Sequence, residues 1–211
     1  MRDVMLAEDT GAHVHICDIS TAKGVDIVRQ AKDRGVRVTC ETCPQYFTLT
    51  EEEVLRQGAM ARVNPPLRTQ ADVEGIRAGL MDGTIDAIVT DHAPHTAEEK
   101  SKPLPDAPSG MVGLETSLAL ALTGLYHTGL LPLSRVLALM SASPAALLGL
   151  DKGTLSLGRD ADLVLFDPDQ EWTIDKNQFV SKGRNTPFHG RAVRGKVKYT
   201  ISRGNIIYME G

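Results

Sequence analysis

Between residues 13 and 90, short β-branched runs alternate with longer stretches of helical periodicity. HVHIC (13–17), VRVTCETC (36–43) and IDAIVT (85–90) read as strands, being apolar, β-branched and bounded by turn residues. STAKGVDIVRQAKDRG (20–35), EEEVLRQG (51–58) and TQADVEGIRAGLMDG (69–83) read as helices. In the first helix Ser20 or Thr21 caps the start, Val25, Ile27, Val28 and Ala31 form the apolar stripe, and Gly35 closes the end. The acids opening the second suit the positive end of a helix dipole. Strand–helix–strand repetition predicts a parallel sheet with helical crossovers, and hence an α/β fold.

The alternation stops at residue 93. APHTAEEKSKPLPDAPSG (93–110) is polar and proline-rich without apolar periodicity, and a loop that long inside a compact domain predicts function. Helices are expected again at 112–127 and 132–148. Beyond about residue 150 the texture changes: GTLSLGRDADLVLFD and VKYTISRGNIIYMEG read as hairpin strands around glycine-containing turns. The expected organisation is an α/β domain over 1–150 and a small, mostly β module over 151–211. A module of that size is predicted to pack on the first domain for stability.

Composition excludes several classes. A formal net charge of −4, with no lysine- or arginine-rich block, gives no electrostatic reason for nucleic acid or an anionic membrane as partner. The longest apolar stretches, such as LALALTGL (118–125), fall far short of the roughly 20 residues that span a bilayer. The opening MRDVMLAEDTG has no apolar core of a secretory signal. Three cysteines without framework spacing predict reduced thiols and a cytoplasmic location.

IVTDHAPH (88–95) carries the chemistry. A buried strand delivers Asp91 at its carboxyl end, with His92 and His95 following, and parallel α/β sheets place their sites at such ends. A carboxylate there can ligate a metal through one oxygen and accept a proton on the other. The competing reading is an aspartate capping a turn beside exposed histidines. The strand before it and the long loop after it favour the chemical reading. CETC (40–43) has the C-x-x-C spacing of zinc and redox motifs, but no second pair exists and it falls at a strand end. His127 and His189 read as surface residues, and Trp172 as an apolar anchor of the small module.

TDHAPH, NPPLR (64–68), VGLETSL (112–118) and SKGRNTPF (181–188) stand in the order seen in dihydroorotases, and the chain resembles that family over nearly its whole length. The resemblance implies a metal-dependent (β/α)8 TIM-type barrel of the cyclic amidohydrolases, here its carboxyl-terminal portion of about strands six to eight, plus the small β module. It implies zinc as cofactor and the reversible interconversion of dihydroorotate and N-carbamoyl-aspartate in pyrimidine biosynthesis. By position, Asp91 resembles the aspartate that binds zinc and acts as general base and acid. Asn64 and His95 resemble substrate-binding residues. Pro108 and Gly110 lie where the family's loop backbone contacts the ring. Arg184, Lys182 and Asn185 resemble residues that fix the return of the chain.

The same resemblance disposes of the H-x-H at His13 and His15. In the family such a pair stands on the first barrel strand, whereas a full barrel takes about 250 residues and these histidines precede Asp91 by only two or three strands. The strand 13–18 resembles the sixth, whose end supplies a metal-ligating histidine; Asp18 stands at that position, in CDIS where the family reads CHVS or CHIS. Asp18 is therefore the second expected metal ligand, and His13 and His15 are expected to be hydrogen-bonded structural residues. Two carboxylates are fewer than the three protein ligands usual for catalytic zinc. The chain is thus expected to be incomplete alone, and to pair with a missing amino-terminal half or self-associate. Two rivals remain: a non-catalytic dihydroorotase-like assembly subunit, and a hydantoinase- or allantoinase-type enzyme.

Overall fold

A computed structural model describes all residues, Met1–Gly211. The chain forms two compact units: Met1–Ser117 with Asp175–His189, and Leu118–Ile174 with Gly190–Gly211. The division therefore does not fall at the single boundary near 150 that the change of texture implies. Residues 118–150 belong with the β-rich segment, and 175–189 return to the first unit.

The first unit contains α1 (Arg2–Thr10), β1 (Val14–Ile16), α2 (Ala22–Asp33), β2 (Val38–Thr42), α3 (Pro44–Thr48), α4 (Glu52–Gln57), α5 (Gln70–Asp82), β3 (Ala87–Ile88) and α6 (Ala97–Lys100). The three strands form a parallel sheet in the order β1-β2-β3, with Val14 opposite Val38 and Thr42 opposite Ile88. The expected α/β alternation is present, with shorter strands than the apolar runs. Helices α2 and α5 start where the sequence places them. Thr21 accepts the amide of Gly24 at 3.0 Å, and Thr69 accepts that of Asp72 at 3.3 Å, each satisfying a free donor of a first turn.

The two crossover helices pack closely because of small residues. A Cβ added to Gly75 would lie 2.3 Å from the Ala22 Cβ, and one on Gly79 would lie 2.7 Å from Val25 Cγ1. The contact is reinforced by the Ala22 amide donating to Asp72 Oδ1 at 3.0 Å. Val25, Val28, Ile76, Leu80 and Ile85 are buried between helices and sheet. On the sheet, Asp86 accepts the Cys40 amide at 2.8 Å and pairs with Lys32 at 2.7 Å, anchoring α2 beside the central strand.

Helix α7 (Ser117–Ala121), all but its first residue in the second unit, runs into a π-helical turn at Leu122–Tyr126, followed by α8 (Leu133–Met140) and α9 (Ala142–Leu147). Strands β4 (Leu163–Thr173), β5 (Ala192–Ser202) and β6 (Asn205–Met209) form an antiparallel meander. Arg203 and Gly204, both at positive φ, make the two-residue turn between β5 and β6 that a right-twisted hairpin requires. Leu122, Leu125, Leu139 and Ile174 are fully buried. Trp172 is half-buried, donates to the Gly195 carbonyl at 2.9 Å and carries Lys196 Nζ 4.2 Å above its ring. Residues 153–162, expected to begin a hairpin, form no strand; Leu155 and Leu157 there are fully solvent-facing. No helix is long and apolar enough to cross a membrane.

Candidate active site

Asp18 and Asp91 occupy equivalent places, two residues beyond β1 and three beyond β3. Both adopt left-handed backbone, with φ of 54° and 46°. Side-chain-bearing residues visit that region at a cost of about 1–3 kcal/mol, which the surrounding structure must offset. The turn lifts each carboxylate out of the strand's alternation at the carboxyl end of the parallel sheet. Burial, then the negative charges of Asp18 and Glu41, together push the Asp91 carboxyl up to about 6. Asp18 and Glu41 thus lie near enough to Asp91 to act on its charge, and a divalent cation would offset the acidity gathered at this end of the sheet.

Asp18 accepts a hydrogen bond from the Cys43 thiol, 3.0 Å away. Burial, followed by Asp18, drives the Cys43 thiol far above its ordinary range, so it acts as a neutral donor. Cys40 points elsewhere, its thiol donating to the Thr84 carbonyl at 3.3 Å. CETC therefore holds two buried, separately bonded thiols, and all three cysteines are free. Tyr46, also raised by burial, donates to the Pro65 carbonyl at 2.8 Å and so ties the segment after β2 to the NPPLR turn. His13 and His15 both bond the Thr39 hydroxyl, at 3.0 and 2.8 Å, as the sequence-based expectation of hydrogen-bonded residues has it.

The loop after Asp91 is held by two buried side chains, Asn185 and Lys100, and by the half-buried His92. Asn185, 2% exposed, accepts the His95 amide at 3.0 Å and donates to the carbonyls of Ala93 and Gly110 at 2.9 and 3.1 Å. Its own carbonyl accepts the Val112 amide at 2.9 Å. Lys100, 3% exposed, donates to the carbonyls of Gly110, Pro108 and Arg62 at 2.9, 3.1 and 3.4 Å. Burial lowers its ammonium to about 8, with the Arg62 charge acting the same way. His92 Nδ1 accepts the amides of Gly113 and Leu114 at 3.1 and 3.3 Å, fixing the segment that leads into α7. The loop is not featureless: Thr96 and Glu99 form a reciprocal cap that starts the single turn of α6.

Of the substrate-binding candidates, His95 donates through Nε2 to the Ser109 carbonyl at 3.0 Å, with Nδ1 3.5 Å from Glu99. Gly110 has φ of 137°, and a Cβ there would lie 2.6 Å from the Ala93 Cβ, so no other residue fits. Its amide donates to the Arg62 carbonyl at 2.9 Å. Pro108 lies in the same network through its carbonyl. Asn64 is exposed and makes no intramolecular side-chain bond. The structure thus brings Asp18 and Asp91 together, and His95, Pro108 and Gly110 into one loop network, but leaves Asn64 apart. Glu41 and Lys100 were not singled out by sequence; a charged residue in a β-branched strand and a lysine in a proline-rich loop carry no local signal of their partners.

Zinc is the metal that the resemblance implies, and Asp18 and Asp91 offer it two carboxylate donors. Comparison with known proteins agrees on the family. The amidohydrolase family model matches residues 2–207. The dihydroorotase of Acetivibrio thermocellus is 49% identical over 209 residues, covering 99% of this chain and 49% of that protein. That of Citrifermentans bemidjiense is 51% identical over 207 residues, 98% of this chain and 49% of its own length. The L-hydantoinase (dihydropyrimidinase) of Arthrobacter aurescens superposes with a TM-score of 0.94 at 35% identity, over 100% of this chain and 48% of that one. A dihydropyrimidinase from Brevibacillus agri gives 0.93 at 28% identity, over 99% and 47%. The chain spans about half the length of the curated relatives it matches. With a parallel sheet that gathers acidic residues at its carboxyl end, and a family match over nearly every residue, the chain belongs to the amidohydrolase family.

Proposed function

We propose that the chain is the carboxyl-terminal portion of a dihydroorotase built on a (β/α)8 barrel, and that it takes part in interconverting dihydroorotate and N-carbamoyl-aspartate in pyrimidine biosynthesis. The observation that carries this reading is the meeting of Asp18 and Asp91 at the carboxyl end of one parallel sheet. Half-length identity near 50% to dihydroorotases supports the choice of substrate.

Asp91 and Asp18 would hold zinc, which when bound supplies Lewis-acid polarisation of the ring amide carbonyl. Asp91, at the reacting end of the sheet, is the carboxylate placed to take and return a proton. In hydrolysis it takes the proton of the attacking water and passes it to the ring nitrogen as the carbon–nitrogen bond breaks. In ring closure the same proton travels back. The network around Asn185 and Lys100 holds the Pro108–Gly110 backbone rigid against the ring, which limits the motion of bound substrate. His95 would reach substrate by exchanging its bond to the Ser109 carbonyl, and Asn64, uncommitted within the chain, is open to a ligand.

Two carboxylates fall short of three protein ligands, and β1 and β3 each pair on one side only. We propose that further strands and ligands come from a missing amino-terminal half or from a second copy of the chain. The free thiols support a reducing, cytoplasmic setting. Two other readings have an observation behind them. Aspartate at position 18, where the resemblance expects an imidazole, favours a non-catalytic assembly subunit. The structural likeness to hydantoinases favours a related cyclic amidohydrolase.

The test is turnover of dihydroorotate, hydantoin and dihydrouracil by the zinc-loaded chain, alone and joined to the amino-terminal half of a relative. Dihydroorotate hydrolysis lost in Asp91→Asn is the expected result. Turnover of hydantoin alone would replace the substrate assignment. Activity that arises only after Asp18→His would identify a degenerate site.

A further inference from the structure

We propose a second divalent-cation site, of the zinc class, formed by His15, Cys17 and Glu41 on adjacent parallel strands and sharing no side chain with the Asp18–Asp91 pair. One ligand atom from each of the three residues lies within 4.8 Å of the other two. His15 Nε2 and Glu41 Oε2 are already 3.1 Å apart. Tetrahedral zinc, with bonds of roughly 2.0–2.3 Å, holds its ligand atoms about 3.5 Å from one another, so a modest rotation of the exposed Cys17 side chain completes the set.

The strand register makes the cluster. His15 pairs with Thr39 across β1 and β2, so residues two positions further along each strand, Cys17 and Glu41, rise on the same side. The imidazole is held from behind: Nδ1 bonds the Thr39 hydroxyl at 2.8 Å. A cation would take the place of the present hydrogen bond from Nε2 to Glu41 at 3.1 Å, leaving Nδ1–H to donate to that hydroxyl. This is the outer-shell arrangement that orients metal-binding histidines. Glu41 pairs with His15 and not with a lysine or arginine.

The donor chemistry selects the cation. One nitrogen, one sulfur and one oxygen suit zinc or cobalt and are poor ligands for magnesium or calcium, which prefer oxygen. Three protein donors leave a fourth position for water or an outside ligand. On binding, the Cys17 thiol releases its proton to solvent.

The test uses the 211-residue chain, stripped with chelator, folded by circular dichroism, and titrated with Co²⁺ by absorption and Zn²⁺ by calorimetry. The expected result is a near-ultraviolet thiolate-to-cobalt charge-transfer band that saturates with added Co²⁺. Cys17→Ser abolishes the band, and His15→Ala weakens zinc binding at least about tenfold. Thr39→Val, which removes only the hydroxyl behind the imidazole, weakens it about tenfold. Asp18→Asn with Asp91→Asn leaves the band in place. Absence of a band, a band that survives Cys17→Ser, or its loss in the Asp18/Asp91 variant would each overturn the site. None of these readouts uses turnover, so failure of the dihydroorotase reading and failure of this site are told apart.

Discussion

Replacing Asn185 with alanine removes three hydrogen bonds from a side chain that is 2% exposed. Gly110 keeps a partner, because Lys100 still donates to its carbonyl at 2.9 Å. The His95 amide and the Ala93 carbonyl lose theirs inside the loop. Each buried polar group left without a partner costs about 1–3 kcal/mol, so two give about 4 kcal/mol as a central figure. Smaller side-chain volume adds little at a polar site. For a chain of this size, roughly 2–4 °C of Tm accompanies each kcal/mol, so Tm falls by roughly 8–16 °C. Urea denaturation measures the free energy, and hydrogen exchange at 93–113 shows whether the loss is local. A fall below about 0.5 kcal/mol, with unchanged protection of that loop, would refute the claim that Asn185 holds it. Asn185→Asp is the sharper variant, since it turns a carboxylate oxygen toward two carbonyls and is predicted to cost more than alanine.

Lys100 predicts a pH dependence of stability. Its folded value of about 8 lies below the unfolded 10.5, so the unfolded chain binds more protons between them and stability rises with pH across that window. The gain, on the order of 1–3 kcal/mol, is measured as wild type minus Lys100→Met in urea titrations from pH 7.5 to 10.5; parallel curves would rule it out. Gly75→Ala forces a methyl to within 2.3 Å of the Ala22 Cβ and is expected to destabilise by about 1–3 kcal/mol in thermal denaturation, with Gly11→Ala, which meets nothing within 4 Å, as the comparison for a strained but uncrowded site. Asp91→Asn relieves repulsion from Asp18 and Glu41 and is expected to stabilise the metal-free chain at pH 7 by about 1 kcal/mol, while weakening zinc binding at the sheet end; a destabilised metal-free variant would contradict the electrostatic account.

The features legible in the chain were those with short-range causes. Thr21 and Thr69 announce helix starts because a cap bonds an amide two or three residues on. Asp91 stands out because a buried strand ends immediately before it and an unpatterned loop follows. Hairpin β5–β6 follows from Arg203-Gly204 between apolar runs. By contrast, residues 153–162 were expected as strand and are not, since their leucines found no sheet to join and face solvent.

What the sequence determined by itself was therefore the α/β alternation, the starts of α2 and α5 and the aspartate at a strand end, all consequences of backbone periodicity and local hydrogen bonding. The tertiary structure alone decided the rest. Asn185 meets Ala93 from 92 residues away, the Cys43 thiol meets Asp18 across 25, and Glu41 joins His15 across 26. Burial, and then the charges of Asp18 and Glu41, raise the Asp91 carboxyl only once β1, β2 and β3 lie side by side. Those interactions depend on strand register and burial, which arise when the chain closes on itself and have no counterpart in the order of neighbouring residues.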